Sequence, residues 1–311
     1  MDVSVVVPMY NEEDSVETTL SAIDAVLKAS GRSYELLAVD DGSRDKTAEF
    51  LKKARARNPR VRVVTHSVNK GLGGALQTGF ANAQGKFVVA IDADLSYDPK
   101  QIPKMLDLLE EGADVVLASP YMPGGAVTGV PYFRYLLSKL GNVVLSHSMG
   151  VSLHTVTSMY RAFRREVIDA LDLESAGPEV NPEVIAKASA LGYRIVEIPA
   201  VLGGRTAGRS KFKLMRGIEK HFWFSVSQRP LALFALIGLA ACLAGIFTAG
   251  YLMYLYLDRA LDPNRPLMML APLLIITGIQ IFLFGFIANQ IVHLRSDIYR
   301  IQRNLRKPRS S

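Results

Sequence analysis

The stretch Phe87–Pro99 reads FVVAIDADLSYDP and joins five consecutive apolar residues to an acidic cluster. The apolar run at 87–91 is typical of a strand buried on both faces of a parallel sheet. Asp92 and Asp94 follow it directly, so we expect both carboxylates at the C-terminal edge of the sheet, where open α/β folds bind ligands. Carboxylates placed this closely repel each other unless a cation or a hydrogen-bond donor faces them. A divalent ion on a diphosphate would satisfy them, and a solvated acidic turn is the alternative.

The sequence around this stretch alternates between strand and helix patterns. We predict strands over 3–8, 34–39, 61–65, 87–91 and 114–117, and helices over 13–28, 46–57, 72–83 and 99–110. Strands separated by helices favour βαβ units. The predicted fold class is therefore α/β, a mainly parallel sheet with helices on both faces.

Two long apolar segments follow this domain. Residues 231–257 and 267–292 contain no Asp, Glu, Lys or Arg, and each exceeds the ~20 residues that cross a bilayer as a helix. The segment between them, 258–266, is short and holds two acids and two bases. We predict a transmembrane helical hairpin with both ends on one side of the membrane.

Charge is distributed unevenly along the chain, whose net charge is +7. Residues 205–311 hold 15 Lys and Arg against 4 Asp and Glu, which gives +11 there and −4 over 1–204. Positive flanks of membrane spans remain cytoplasmic and attract anionic headgroups. We therefore expect an integral membrane protein with the soluble domain and both termini in the cytoplasm. A nucleic-acid partner is not expected, because the basic residues border apolar spans.

These patterns predict four regions. Residues 1–204 form a cytoplasmic domain that carries the acidic cluster, 205–229 a loop and an amphipathic helix, 230–294 the hairpin, and 295–311 a basic tail. Apolar and basic residues alternate over 211–228, which is typical of a helix that lies in the membrane interface with Trp223 at headgroup depth.

Two further polar clusters follow predicted strands. Pro8, Tyr10, Asn11 and Glu12 come at the end of the first strand, and Asp40–Ser43 at the end of the second. The ends of parallel strands lie side by side, so we expect one pocket to collect these clusters with Asp92 and Asp94. Acidic side chains there can accept hydrogen bonds from a base or from ribose hydroxyls.

A glycine-rich turn, Asn69–Gly74, precedes the third helix and contains Lys70 and Gly71. Its backbone N–H groups can approach a phosphate. The turn lacks the Gly-Lys-Ser/Thr ending of an ATPase phosphate loop, so alone it is a weak signal.

Seven stretches together carry a family resemblance. They are VPMYNEE (7–13), DDGSRDKT (40–47), NKGLGGAL (69–76), DADLSYDP (92–99), YRAFRREV (160–167), GYRIVEIP (192–199) and GRTAGRSK (204–211). With them the chain resembles the family 2 glycosyltransferases of GT-A fold, and within that family the dolichol-phosphate mannose synthases and polyprenyl-phosphate glucosyltransferases. The predicted hairpin is similar to the membrane anchor of that group.

The resemblance implies inverting transfer of a single hexose from a nucleotide sugar, GDP-mannose or a UDP-hexose. It implies a nucleotide pocket that comprises Pro8, Tyr10, Asn11, Glu12, Asp40, Asp41, Lys70 and Gly71. Asp92 and Asp94, with Ala93 between them and Ser96 beside them, would hold Mg²⁺ or Mn²⁺ on the diphosphate. Arg205, Ser210 and Lys211 would close over the diphosphate.

The implied acceptor is a polyprenyl or dolichyl phosphate. A phosphate monoester is largely dianionic at neutral pH, so it requires cations that position it rather than a general base. Arg134 and Arg161 are the candidates for that role, with Lys139 behind them. The residues expected to be catalytic are Asp94, Arg134, Arg161 and Glu183. The expected role of Glu183 is to orient an arginine.

The chain departs from the family pattern at two places. Pro120 stands where the family often has Arg, and Thr155 where it commonly has Asp; the neighbouring His154 is expected to be structural. Both departures fall in the sugar and acceptor region, so the identity of the sugar stays open.

Two other functions and one assembly remain to be weighed. A processive polysaccharide synthase would need a channel and normally a Gln-x-x-Arg-Trp motif, which the sequence lacks. A non-catalytic membrane tether that binds nucleotide sugars would not need Asp92 and Asp94. We also predict a homo-oligomer through the hairpin, since Gly238 and Gly245 can support close helix packing.

Overall fold

The computed structural model describes residues 1–203, 230–258 and 266–306. Two compact units are present. The first is an α/β domain built by residues 1–203, and the second contains two long C-terminal helices.

A seven-stranded sheet forms the centre of the α/β domain. Its strands are β1 (Val3–Met9), β2 (Tyr34–Asp40), β3 (Val61–Thr65), β4 (Phe87–Ala90), β5 (Val115–Ser119), β7 (Arg161–Arg164) and β8 (Ile195–Pro199), and their order is β3-β2-β1-β4-β7-β5-β8. All are parallel except β7, which runs antiparallel to both neighbours. A small parallel pair, β6 (Ala126–Val127) and β9 (Val201–Leu202), lies apart from this sheet.

The helices of the domain connect these strands. They are α1 (Val16–Ala29), α2 (Thr47–Arg57), α3 (Gly71–Asn82), α4 (Ile102–Glu110), α5 (Tyr132–Met149), α6 (Arg165–Ala170) and α7 (Val180–Ala190), with a 3₁₀ turn at Pro99–Gln101 before α4.

Apolar side chains cover both faces of the sheet. In β1, Val5 and Val7 join the core that includes Ile23 of α1 and Met105 of α4, while Val6 joins the core on the opposite face. Successive strand side chains point to opposite faces, so an unbroken apolar strand must be covered on both. This explains why the apolar runs of the sequence predict a buried, mainly parallel sheet, and the structure confirms that prediction.

The reversed strand β7 was not predicted. It reads RAFR, only four residues with arginine at both ends, so neither an apolar run nor an alternating pattern marks it. It pairs with β4 on one side and β5 on the other, and so completes the sheet beside Asp92.

Among the described residues, the second unit contains α8 (Pro230–Leu257) and the part of α9 (Leu267–Arg306) up to Ile298. Each contains 25 residues apolar enough to cross a membrane, Leu233–Leu257 and Leu267–Ile291, and only 11% of each apolar window is buried. A core helix of a soluble domain would be mostly buried, so these helices have the character of membrane spans. Helix α9 continues to Arg306, beyond the end predicted for the hairpin at 294.

Glycines allow α8 and α9 to approach closely. A Cβ atom on Gly238 would lie 2.6 Å from the carbonyl oxygen of Gly278, and one on Gly245 would lie 2.9 Å from that of Ala271. Gly238 and Gly245 were expected to support association between chains. The structure instead uses them for packing within one chain, so they no longer favour an oligomer.

Candidate active site

The ends of three strands meet at one edge of the sheet. Strand β1 lies between β2 and β4; Met9 pairs with Asp40, and Val6 pairs with Ala90. The segments that follow, from Tyr10, Asp41 and Ile91 onward, therefore emerge side by side, as the sequence predicted.

The loops after β1 and β2 are tied together by hydrogen bonds. The Asn11 N–H donates to Ser43 Oγ at 2.9 Å, and Asn11 Oδ1 accepts from the Arg44 N–H at 2.7 Å. Asn11 has a φ of +52°, a left-handed conformation that asparagine tolerates better than most residues. The Glu12 N–H donates to Thr47 Oγ1 at 2.8 Å. These contacts fix the backbone of the predicted nucleotide pocket.

The remaining pocket residues differ in exposure. Pro8 and Asp40 are buried, whereas Tyr10 and Glu12 are half-buried. Asp40 Oδ1 accepts from the Ser43 N–H at 3.0 Å and so caps its own turn.

The carboxylate of Asp41 supports the glycine-rich turn through hydrogen bonds. Its buried carboxylate accepts the N–H groups of Lys70 at 2.8 Å and Gly71 at 2.9 Å. The same carboxylate contacts His66 Nδ1 at 2.7 Å, while His66 Nε2 lies 2.9 Å from Thr78 Oγ1. The structure thus gives Asp41 a supporting role, and its direct contact with a nucleotide stays a prediction. His66 was missed because a single histidine after a strand carries no motif.

A second segment holds the glycine-rich turn from the other side. The Gly73 N–H donates to the carbonyl of Ala176 at 2.7 Å, and a Cβ on Gly73 would lie 1.8 Å from the carbonyl oxygen of Ser175. Any side chain at position 73 would collide with this backbone. The glycines of the turn therefore serve close contact between two backbone segments.

Glu183 fixes that second segment. It is buried and accepts the N–H groups of Glu174 at 2.8 Å and Ser175 at 2.9 Å, and it pairs with Lys187 at 2.6 Å. Burial opposes ionisation, but the hydrogen bond from Lys187 and the backbone N–H groups outweigh it and lower the pKa of Glu183. Glu183 thus orients a backbone segment through these bonds, and its ion-pair partner is Lys187 rather than the predicted arginine.

The acidic turn after β4 is held at several points. Asp94 is buried, and its Oδ1 accepts the Ser96 N–H at 3.0 Å. Thr19 Oγ1 donates to the carbonyl of Ala93 at 2.5 Å, and Leu95 adopts a φ of +52°. Positive φ is uncommon for a residue other than glycine and is often found at functional sites.

A cavity of about 220 Å³ opens beside this turn. Its wall contains Asp92 together with several hydroxyl groups. The lining residues are Leu72, Asp92, Ser96, Tyr97, Pro120, Tyr121, Ser138, Thr155, Thr157, Ser158, Met159, Asn181 and Leu202. Pro120 and Thr155, the two departures from the family pattern, are both in this wall.

Three polar residues shape the wall: Thr155, which the sequence marked as a departure from the family pattern, and Asn142 and Glu197, which were not predicted. Thr155 Oγ1 lies 2.7 Å from Ser119 Oγ, and the Thr155 N–H donates to Glu197 at 2.9 Å. Asn142 of α5 accepts the N–H groups of Val156 at 2.8 Å and Thr157 at 3.1 Å. A buried asparagine in a helix, and a carboxylate within the short strand β8, are the signals that could have identified Asn142 and Glu197.

His154 lies next to this wall and pairs with Glu197 at 2.8 Å through Nδ1. Its side chain is about half exposed. The Glu197 carboxylate also accepts the His154 N–H, so these contacts give His154 a structural role.

Arg161 lies beneath the cavity rather than in it. Only 2% of it is exposed, and its guanidinium donates to the carbonyls of Asn181 at 2.7 Å and Val156 at 2.8 Å. Burial lowers its pKa, against the fields of Tyr97 and Asp92. A guanidinium so enclosed is not presented to an incoming phosphate, so the structure does not support the prediction that Arg161 positions the acceptor. It supports two segments of the cavity wall instead.

Two other cations predicted near the acceptor, Arg134 and Lys139, lie on α5. Arg134 is exposed on α5, and Lys139 Nζ lies 5.9 Å from the centre of the Tyr135 ring. The predicted diphosphate contacts Arg205, Ser210 and Lys211, and the interfacial helix over 211–228, lie outside the described residues.

The donor set of the acidic turn fits a magnesium or manganese ion. Within 1–203, 230–258 and 266–306 there is no cluster of three His, Cys, Asp or Glu side chains suited to a metal. Mg²⁺ is usually held by one or two carboxylates together with substrate phosphates and water. Asp92, which lines the cavity, and the buried Asp94 supply two carboxylates, and the Ser96 hydroxyl lies beside them.

The model of glycosyl transferase family 2 matches residues 4–172. A dolichol-phosphate mannosyltransferase of Pyrococcus furiosus is 32% identical over 78% of the chain and 70% of its own length. An undecaprenyl-phosphate 4-deoxy-4-formamido-L-arabinose transferase of Klebsiella pneumoniae is 32% identical over 99% of the chain and 95% of its own length. The similarity to the second relative therefore extends through the membrane helices.

Solved structures show the same fold. Glucosyl-3-phosphoglycerate synthase of Mycobacterium tuberculosis in complex with UDP superposes with a TM-score of 0.54 at 25% identity, over 73% of the chain and 79% of that protein. The same enzyme with Mn²⁺, UDP and phosphoglyceric acid gives 0.53 at 24% identity, over 73% and 76%. The α/β domain has the GT-A fold, as predicted.

Proposed function

The chain belongs to glycosyl transferase family 2, and we propose that it transfers a single hexose from a nucleoside-diphosphate sugar to a membrane polyprenyl phosphate. One observation carries the proposal: a cavity with Asp92 in its wall lies at the strand-end edge of a chain that also has two helices of membrane-spanning length. A lipid-phosphate acceptor accounts for both parts. The relatives that match the chain over most of its length are named for such acceptors.

On this proposal the donor lies along the edge formed by β1, β2 and β4. Tyr10, Glu12 and Asp40 would hold its base and ribose beside Pro8. The Lys70, Gly71 and Gly73 N–H groups of the glycine-rich turn already donate to Asp41 and Ala176, so the exposed side chain of Lys70 is proposed to contact the diphosphate. The sugar would then extend into the hydroxyl-lined cavity.

Asp92 and Asp94 would hold Mg²⁺ or Mn²⁺ on the diphosphate. When bound, the metal would stabilise the negative charge that develops on the departing nucleoside diphosphate. The Asp94 oxygen that accepts the Ser96 N–H is already oriented by the turn. Arg205, Ser210 and Lys211 remain proposed as further donors to the diphosphate.

The acceptor phosphate supplies its own nucleophile, since it is largely dianionic at neutral pH. Direct attack on the anomeric carbon, on the face opposite the leaving diphosphate, gives inversion in one step. Arg134, which is exposed on α5, is proposed to position the phosphate. Arg161 and Glu183 are proposed to hold neighbouring backbone segments in position, in keeping with their burial.

We further propose that the catalytic domain and both termini are cytoplasmic. The basic residues before α8 and towards the end of α9 support this orientation, because positive flanks remain on the cytoplasmic side. We then expect the protein to transfer sugar from a nucleotide sugar that is supplied only on the cytoplasmic side.

Transfer is tested with the full chain in proteoliposomes that contain a polyprenyl phosphate. Labelled GDP-mannose and a series of UDP-hexoses are offered in turn, and chloroform-extractable product is counted. Asp92→Asn should lose activity on the order of 10²-fold, the scale for removal of one stabilising group at the reacting centre. Asp98→Asn is the matched control, since Asp98 caps the 3₁₀ turn through the Lys100 N–H and asparagine can keep that bond.

Each outcome separates the proposal from its rivals. Equal product from wild type and Asp92→Asn would refute the diphosphate role of that carboxylate. Polymer that remains insoluble in chloroform would indicate a processive synthase, and nucleotide-sugar binding without turnover a tether. The anomeric configuration of the product against that of the donor tests inversion.

A further inference from the structure

A second cavity, of about 480 Å³, lies between helices α1 and α2. Ligand pockets usually occupy about 300–1,000 Å³, so a small organic molecule would fit. We call it the helix cavity; its lining residues are Glu17, Leu20, Ser21, Asp24, Lys28, Phe50, Lys53, Ala54, Arg57, Asn58, Pro59, Arg60 and Val61. None of them lines the cavity beside Asp92.

The helix cavity reaches the edge of the sheet opposite the acidic turn. Strand β3 runs parallel to β2, and its first residue, Val61, is in the cavity wall. The proposed donor site lies at the other edge, where the parallel strands end. The helix cavity is therefore a separate place on the domain.

The floor of the helix cavity is apolar. Leu20 and Val61 are buried, while Phe50 and Ala54 are half-buried and pack against the same core. An aromatic ring beside aliphatic side chains is the usual surface for the apolar part of a small ligand.

Basic residues outnumber acidic ones in the wall of the helix cavity. Four bases stand against two acids, which gives +2 locally, whereas residues 1–204 as a whole carry −4. The bases are Lys28, Lys53, Arg57 and Arg60, and the acids are Glu17 and Asp24. An anionic ligand is therefore favoured over a cationic one.

The carboxylate of Asp24 is satisfied from within the protein. Its Oδ1 accepts from the Tyr34 hydroxyl at 2.7 Å and from Asn58 Nδ2 at 2.8 Å, and its Oδ2 pairs with Lys28 at 2.6 Å. Burial opposes its ionisation, but the hydrogen bonds from Lys28, Tyr34 and Asn58 outweigh it and lower the pKa of Asp24. Asp24 is thus charged and already partnered.

Arg60 differs from the other three bases of the wall. Those three have carboxylate partners, in the pairs Lys28–Asp24, Lys53–Glu49 and Arg57–Glu17. Arg60 has no ion-pair partner among the described residues; its guanidinium lies 5.0 Å from the centre of the Tyr34 ring. A guanidinium placed over an aromatic ring can still bind a carboxylate or a phosphate through its N–H groups.

We propose that the helix cavity binds a small organic anion, a compact apolar group that carries a carboxylate or a phosphate. The apolar group would lie on Phe50 and Leu20, and the anionic group would bind the guanidinium of Arg60. Binding there would require neither the nucleotide pocket nor Asp92.

The test uses the full chain in lipid nanodiscs, with its only cysteine removed by Cys242→Ala. Ser21→Cys places a thiol in the cavity wall, and Lys52→Cys places one on α2 outside the wall as the matched control; both positions are exposed. The rate of modification by N-ethylmaleimide is measured with phenyl phosphate, benzoate, phenol or inorganic phosphate as the probe.

Phenyl phosphate and benzoate should slow modification at residue 21 in a saturable way and leave residue 52 unaffected. Arg60→Gln should raise the concentration for half protection about tenfold, the scale for loss of a hydrogen bond to a charged group. Arg55→Gln removes an exposed base of α2 outside the wall and should not change it.

Absence of protection at residue 21 would overturn the proposal. Equal protection by phenol would also overturn it, because the cavity would then not select an anion. Equal protection by inorganic phosphate would do the same, because no apolar group would be needed. Protection that is unchanged in Arg60→Gln would refute the contact assigned to that guanidinium.

Discussion

At the scale of single residues, the carboxylate of Asp41 organises more of the site than its position in the sequence suggests. It receives two backbone N–H groups of the glycine-rich turn and contacts buried His66. A buried carboxylate is stable only when its oxygens are hydrogen-bonded. His66 therefore helps to hold the turn in the shape that the proposed diphosphate contact needs.

Removal of the His66 ring should weaken both stability and donor binding. His66→Leu leaves the Asp41 carboxylate without one partner, which typically costs about 1–3 kcal/mol. We expect a lower free energy of unfolding for the isolated protein in detergent, and a raised KM for the nucleotide sugar with a smaller change in kcat. Denaturant titration and donor-dependent initial rates measure the two effects.

His66→Asn provides the matched comparison. Its side-chain amide can donate to Asp41 as Nδ1 does, so it should recover much of the donor affinity. Equal KM values for wild type and His66→Leu would show that the histidine does not position the turn.

Single residues were also where prediction from sequence was least complete. Asp92 follows an apolar run, and that context placed it correctly at the cavity. Arg161 follows no such pattern, and its burial against the carbonyls of Asn181 and Val156 depends on segments distant in sequence. Glu197 and Asn142 act by bonding backbone N–H groups from other parts of the chain. Such contacts leave no periodic signal.

At the scale of elements, the start of α3 is defined by contact with another backbone segment. Gly73 approaches Ser175 and Ala176 so closely that no Cβ fits. The sequence predicted the glycine-rich turn but not this contact, because the partner lies about 100 residues further along the chain. The glycines therefore serve packing in addition to any approach to phosphate.

Two glycine-to-alanine changes in helices should have opposite effects. Gly73→Ala should destabilise the domain and reduce transfer strongly, since its methyl group would lie 1.8 Å from the Ser175 carbonyl oxygen. Gly141→Ala in α5, where no atom of another described segment lies within 4 Å of the added atom, should stabilise by about 0.5–1 kcal/mol because glycine is a poor helix former. Thermal unfolding of both variants measures the difference, and a similar shift for both would argue against the close contact.

Glu183 makes the same region sensitive to acid. Its pKa is lowered from the ordinary value of 4.5 in the folded protein, where burial is outweighed by Lys187 and two backbone N–H groups. The folded state then binds fewer protons than the unfolded state, so the stabilisation is complete above about pH 4.5 and is lost as the pH falls below it.

Glu183→Gln tests this dependence, because glutamine has the same shape but does not titrate. The variant should be less stable than wild type at pH 7, and the difference should shrink as the pH falls from 4.5 to 3. Free energies of unfolding from denaturant titrations across that range provide the measurement. A difference that is constant with pH would mean that Glu183 contributes through packing alone.

At the scale of the whole molecule, prediction from sequence was most complete for features that depend on composition alone. Two charge-free runs marked both membrane-length helices, because a bilayer selects length and hydrophobicity rather than specific contacts. The α/β order followed from apolar strands for a similar reason. How α8 and α9 pack is a matter of individual glycines, which contact the partner helix within one chain, and the expected contacts between chains stay a prediction.

The packing of this helix pair should depend on the glycines that face the partner helix. Gly278→Leu should separate the helices, since even a Cβ at 278 would lie 2.6 Å from the Gly238 carbonyl oxygen. Between membrane helices such close backbone approach is a main source of association. Gly250→Leu is the matched control, because no other part of the described structure lies within 4 Å of a Cβ there. With cysteines introduced in α8 and α9 for disulfide trapping, in a Cys242→Ala background, we expect intrachain cross-linking to fall in Gly278→Leu and to persist in Gly250→Leu.

Persistence in both variants would show that the glycine contacts do not hold the hairpin together, whereas cross-links between chains in the wild-type background would restore the case for an oligomer.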